Sequence, residues 1–323
     1  MKRSLALLWM IAATVGLLVV GCNKNTTGPD DETAPAGVTD EESAMKVSAE
    51  NDEFVKNDEL TFADQEIAAT DYSYISGQIQ SDITPLQWGR FISSITRQVT
   101  VTRQPGDSIA VARVHKTING TLKIRAITQI GDTVLIQKPF SDQSDRNILF
   151  KRVGRDVKRF WRNWVPVATS LVDGGTPNGQ IDIKSIELRT RGGQVITITD
   201  PLRTFLRYRW LRFLNGDSDM LEFNGTDSVH VKVTLESASP DTDLVALRFG
   251  MNSLYRNRAG MRLTSQTTGG TLGYIKTYER TFFVHNRPGF FHAAVDAMTK
   301  ATLFNSDTTA YSVSWWGVPY RVY

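Results

Sequence analysis

Cysteine is almost absent: Cys22 is the single one in 323 residues. No disulfide can close within the chain, so folding rests on apolar burial and hydrogen bonding. Histidine is also sparse. His115, His230, His285 and His292 are dispersed, and no His-Glu-x-x-His occurs, which removes the zinc-protease pattern. There is no Gly-x-Ser-x-Gly elbow and no phosphate-binding glycine loop leading into a helix. His115 and His230 fall in strand-like segments and read as ordinary strand side chains. A pairing of His115 with Asp132 or Asp156 has no spacing to support it. Carboxylate pairs cannot be assigned from spacing alone, so acid–base hydrolysis is not excluded. A noncatalytic role is the first reading. Long apolar runs are equally scarce, and the one conspicuous run lies between Leu5 and Val20.

That run follows Lys2 and Arg3 and ends in Val19-Val20-Gly21-Cys22. A charged start and a short apolar core make an export signal. The segment resembles the lipobox signal of bacterial lipoproteins. A membrane-spanning helix competes, but Ser4 to Gly21 sits near the lower limit of roughly 17 to 25 residues and contains Gly16. The resemblance implies that residues 1–21 are removed. It also implies that Cys22 carries a diacylglycerol, often with a further acyl chain such as palmitate, and anchors the protein in the bacterial cell envelope. Asn23, in place of an aspartate, points to the outer membrane where there is one, facing the periplasm or the cell surface.

Charge is unevenly distributed. From Asn23 to Asp71 there are 14 acidic residues and three lysines, a net of −11, whereas Tyr72 to Tyr323 carries 32 basic and 20 acidic residues, a net of +12. The acidic segment has only Phe54 and Phe62 as aromatics. Its beginning, Thr26 to Pro35, cannot bury enough surface to order itself. Residues 22–71 are therefore expected to form a solvated tether with one or two short helices between Met45 and Ala69. The sharper alternative is an acidic arm that folds back on the basic body.

From Ile95 onward, period-two alternation and turn residues predict antiparallel strands. Turns are expected at Pro105-Gly106-Asp107, Asn119-Gly120 and Gly131-Asp132. Thr84-Pro85-Leu86-Gln87-Trp88 reads as a turn opening a short helix, with Pro85 first. Val229, Val231, Val233 and Leu235 form one inward stripe. The break at Leu171 to Gly179 suggests a boundary between a domain over 72–175 and another over 176–323. The fold class is mainly β with a few short N-terminal helices. From Trp88 to Val172, the order of a helix, a strand with Gly106 to Val114, a strand with Arg146 to Val153, and a last strand with Trp161 to Val167 resembles the NTF2-like α+β superfamily. A β-sandwich is the other reading of that stretch. The seven or eight short strands after Gly179, one of them over Phe290 to Thr302, resemble an immunoglobulin-like sandwich. The NTF2-like resemblance implies, as the alternative function, a cone pocket holding a small ligand or a catalytic pair.

Two segments mix cations with aromatics. The first runs from Lys151 to Arg162 and holds Lys151, Arg152, Arg155, Lys158, Arg159 and Arg162; six cations cannot all be buried. It is the candidate polyanion-binding segment, for an acidic glycan, lipid head groups or the acidic arm itself; a protein partner is the alternative to an envelope polyanion. An exported protein seldom meets nucleic acid, so none is expected. The second, Arg203 to Phe213, reads as a strand with aromatics inward. Oxygen-rich stretches containing Asp173, Asn178 and Asp182, and Asp217 and Asp219, are loose calcium candidates. Turn chemistry explains the same residues, so no metal and no cofactor beyond the covalent lipid is expected.

Overall fold

Alternating apolar residues over long stretches generate three unusually long strands. The computed structural model describes residues 34–61, 67–68, 82–207, 221–251 and 257–323. After helices α1 (Glu41–Glu50) and α2 (Glu53–Asn57), a 3-10 turn (Asp58–Thr61) and the two-residue β1 (Ile67–Ala68) come β2 (Ile83–Arg103), β3 (Ile109–Thr128) and β4 (Thr133–Arg152). At about 3.3 Å per residue, strands of 20 residues reach roughly 65 Å. The chain continues through β5 (Trp164–Gly175), β6 (Ile181–Thr190), β7 (Val195–Ile198), β8 (Phe205–Arg207), β9 (Leu221–Phe223), β10 (Ser228–Ser237) and β11 (Leu244–Met251). It ends with β12 (Asn257–Gly260), β13 (Arg262–Thr268), β14 (Tyr274–Phe283), β15 (Gly289–Met298), helix α3 (Lys300–Phe304) and β16 (Val313–Val322). The protein is mainly β, with short helices at its N-terminal side.

The strands form two sheets. One runs β1-β2-β3-β4-β5-β16-β15-β11-β12, with β8 beside β5 and β9 beside β16; the other runs β13-β14-β10-β6-β7. Pairing is antiparallel except between β9 and β16. The larger sheet curls until its ends approach each other: the Arg258 guanidinium of β12 lies 4.3 Å from the Trp88 ring centroid of β2. Inside the curl, Trp88, Leu122, Phe140 and Trp315 pack with Leu303 of α3. The opposite face of β11, β15 and β16 packs against the second sheet, where the stripe Val229, Val231, Val233 and Leu235 is fully buried. β16 is a wall between two cores. Segments on both sides of Gly175 share one sheet, since Ser314 to Gly317 pair with Val172 to Gly175, and Ala34–Tyr323 forms one compact unit.

Four local expectations are corrected. Thr84 to Trp88 is strand, not helix; Pro85 sits opposite Ala126 at a register shift in β2, a bulge position at which a residue without an N–H is tolerated. Asn119-Gly120 is no hairpin but the middle of β3, where a Cβ on Gly120 would lie 2.5 Å from both the Phe140 ring and the Phe91 carbonyl. Glycine is there for close approach, not for turning. The stretch from Leu171 to Gly175 is strand, and the chain turns only after it. The strand expected over Phe290 to Thr302 stops at Met298 and gives way to α3. Residues 1–33, with Cys22, lie outside the described residues, as do Asp217, Asp219 and 208–213 of the second basic-aromatic segment.

Candidate functional site

From residue 34 to 61 the acidic segment is not a solvated tether. It is docked on the curled sheet. Asp40 opens α1 by accepting the Ser43 N–H at 2.7 Å, while the Ser43 hydroxyl accepts the Asp40 N–H at 3.0 Å, a reciprocal N-terminal cap. Met45, Ala49 and Val55 then bury against Ala110, Ala112, Val114, Phe150 and Trp164. The two alanines of β3 leave room for the helices to approach closely.

Charge fixes the docking. Asp58 takes two bonds from Arg146, at 2.9 and 2.7 Å, with both side chains buried. Arg146 also donates to the Thr169 hydroxyl. Glu59 pairs with Arg97 and with Lys116, and Lys116 also donates to the Val55 carbonyl. Glu41 accepts from Arg152 at 2.7 Å, from Asn163 at 2.8 Å and from the Trp164 indole at 3.0 Å, with Arg103 at 3.2 Å. Partial burial pushes the Glu41 carboxyl up, but the Trp164 and Asn163 bonds and the Arg152 and Arg103 charges together hold it below its ordinary value. Three carboxylates of the arm thus engage five cations of the body.

The candidate basic segment begins where that docking ends. Arg152 belongs to the arm contact; it also pairs with Asp107 at 2.8 Å and lies 4.8 Å from the Trp164 ring centroid. Beyond it the chain makes a built loop. The Asn163 side chain accepts the Asp156 N–H at 2.8 Å and donates to the Asp156 carbonyl at 3.1 Å. The Asp156 carboxylate accepts the N–H groups of Lys158 and Arg159; these bonds, that from Arg159 first, hold it below its ordinary value. Phe160 to Arg162 form a 3-10 turn, with the Phe160 and Trp161 rings edge to face at 5.3 Å. Lys151, Arg155, Lys158 and Arg162 are exposed and Arg159 is half-buried. Among the described residues, Lys151, Arg155, Lys158, Arg159 and Arg162 form no ion pair.

The calcium candidates Asp173, Asn178 and Asp182 come together in a polar groove of about 350 Å³, which Asp145 and Ser314 also line. Burial, then repulsion from Asp182, raises the Asp173 carboxyl to about 6 although the Trp316 indole donates to it at 3.0 Å. Asp145 is already engaged by Arg113 at 2.8 Å and by the His115 ring at 3.1 Å. No group of three or more His, Cys, Asp or Glu among the described residues is arranged to hold a metal. His230 lies in β10 beside Thr281 at 3.1 Å. A second, wholly apolar void of about 30 Å³ lies between the sheets against Leu188, Val231 and Tyr320, far below the hundreds of Å³ of a small-molecule site.

Sequence reasoning singled out the basic loop but not the carboxylates that dock the arm. Glu41, Asp58 and Glu59 stand among 14 acidic residues of the arm, and nothing in their spacing marks them. The one usable signal was the opposite net charge of arm and body. No protein-family model matches the chain, and no curated protein and no solved structure matches it.

Proposed function

We propose that this chain is a lipid-anchored lipoprotein of the bacterial cell envelope with a noncatalytic binding role. On this reading Cys22 carries the lipid, and the loop from Lys151 to Arg162 binds a polyanion. The observation that carries the binding role is the division of cations: Arg97, Arg103, Lys116, Arg146 and Arg152 are engaged by the arm, whereas Lys151, Arg155, Lys158 and Arg162 face solvent without ion pairs among the described residues. Exposed charges in a cluster attract anions, and single exposed pairs are worth only about 0 to 1 kcal/mol, so the cluster must act together. The apolar packing inside the curled sheet, where Trp88, Leu122, Phe140 and Trp315 meet Leu303, favours this reading over a cone pocket.

Two measurements test it. Labelled palmitate should enter the wild-type chain and not the Cys22→Ser variant; equal incorporation in both removes the anchoring assignment. Binding to immobilised heparin should weaken with added salt and weaken further in a Lys151→Glu/Arg155→Glu/Lys158→Glu variant.

A further inference from the structure

The end of the sheet that carries the basic loop also exposes apolar side chains. Val157, at the loop tip, is 89% exposed, Val153 is 55% exposed and Ile109 is 40% exposed. Ile109 pairs with Lys151 across β3 and β4, and the Arg152 N–H bonds the Ser108 carbonyl at 2.9 Å. These apolar side chains and the loop cations therefore sit on neighbouring strands and turns. Two aromatic rings, Phe160 and Trp161, lie half-buried behind the tip. A soluble anion such as an acidic glycan needs the cations but has no use for an exposed valine between Arg155 and Lys158 in the chain. An anionic bilayer needs both, because the apolar tip enters the head-group region while the cations stay at the phosphates.

Chain length adds an independent argument. Glu41 is bonded to Arg152, Asn163 and Trp164 at the root of this loop. Only 18 residues separate Glu41 from Cys22, a span of at most about 65 Å when fully extended. A lipid on Cys22 would hold this end of the sheet within that reach of the bilayer. We infer that the loop from Val153 to Arg162 is a second membrane contact, docking on anionic phospholipid head groups with Val157 inserted. The inference rests on the loop as an anion-binding surface and names the anion.

The test uses the full chain reconstituted in vesicles. A Val157→Cys variant and an Ile130→Cys control are labelled with an environment-sensitive fluorophore; Ile130 is 84% exposed in the turn at the opposite end of β3. Vesicles of phosphatidylcholine with phosphatidylglycerol, or of phosphatidylcholine alone, carry a nitroxide lipid as quencher. The expected result is a blue shift and quenching at position 157 in the phosphatidylglycerol vesicles, with neither at position 130. Both effects should be lost in phosphatidylcholine alone and when Arg155→Glu/Lys158→Glu is added. Emission at 157 as unquenched as at 130 in anionic vesicles overturns the inference, and quenching equal in both vesicle types overturns its anionic part. Loop-dependent heparin binding without quenching assigns the loop to a soluble polyanion and also overturns it, while leaving the polyanion reading standing. Label uptake by the wild-type chain reports separately on Cys22, which is its only cysteine.

Discussion

Trp315 and Trp316 are consecutive residues of β16, yet Trp315 packs inside the curled sheet and Trp316 packs between the sheets. Successive strand side chains point to opposite faces, so a strand buried on both faces joins the two cores covalently and mechanically. Leu171 and Val172 of β5, and Leu247 and Ala246 of β11, divide in the same way. Unfolding either core removes a wall of the other. Chemical denaturation followed by tryptophan fluorescence and by far-UV dichroism should therefore give one coincident transition. Trp315→Ala or Trp316→Ala should each lower stability by about 3 to 5 kcal/mol and still leave a single transition. Two separated transitions, one moved by each variant, would show two independent domains.

Asp58 anchors the arm. Removing it leaves the Arg146 guanidinium buried against Thr169 without its carboxylate. Breaking a buried pair from one side costs about 3 to 5 kcal/mol. Asp58→Ala should destabilise the protein by that order and increase protease cleavage between residues 34 and 61. Asp52→Ala, which removes the carboxylate accepting the Phe54 and Val55 N–H groups, should cost about 1 kcal/mol. Equal effects of the two substitutions would contradict an anchoring role for Asp58.

Two buried groups set opposite pH dependences. Burial drives His292 from 6.5 down to about 4, and Arg146 and Lys116 add to this while Asp58, 3.8 Å away, opposes it. The unfolded chain takes up this proton first, so the contribution to stability is complete above about pH 6.5 and is lost as pH falls toward 4. Asp142 behaves in reverse. Burial raises it from 3.8 to about 6, against the bonds from Tyr311 and Thr176 and the charge of Arg90. The folded state then holds the proton more tightly, and stability is lost as pH rises from about 4 through 6. In urea series between pH 4 and 7, Asp142→Asn should lose less stability on raising pH than wild type, and His292→Gln should lose less on lowering it. Profiles parallel to wild type would show that these groups do not titrate as described.

The close approaches at glycine give a packing test. A Cβ on Gly120 meets the Phe140 ring and the Phe91 carbonyl, and a carbonyl cannot move aside as a flexible side chain can. Gly120→Ala should destabilise by about 1 to 3 kcal/mol through overpacking. A Gly131→Ala change should also destabilise, because Gly131 has φ of +93°, but through backbone strain in the turn and not through contact. Melting curves of the two variants, alone and with Phe140→Leu, separate the causes: partial relief of Gly120→Ala by the smaller residue is expected, since the Phe91 carbonyl contact stays, and no relief of Gly131→Ala.

What was legible in the sequence follows from physics that is local. The stripe from Val229 to Leu235 and the turns at Gly106 and Gly131 depend on neighbours in the chain, and the structure has them. Asn119-Gly120 misled because the same dipeptide serves a turn or a close approach, and only the ring of Phe140, 20 residues away, decides. Pro85 read as a helix start because its bulge partner lies across the sheet. The arm was visible as net charge but not as a docked element, since Arg146 and Asp58 are 88 residues apart. Burial of Trp315 and Trp316 in different cores needs the two faces of β16 to be covered by different sheets, which no window of sequence contains.

The most direct test of the proposed role compares where positive charge is removed. Lys151→Glu/Arg155→Glu/Lys158→Glu alters the loop, whereas Arg125→Glu/Arg191→Glu/Arg262→Glu makes the same change in net charge at exposed arginines elsewhere. Both full-length variants and wild type are eluted from heparin with a salt gradient. The expected result is elution of the loop variant at clearly lower salt, with the control variant close to wild type. Coincident elution of the two variants would mean that net charge alone governs binding and that the loop is no binding surface.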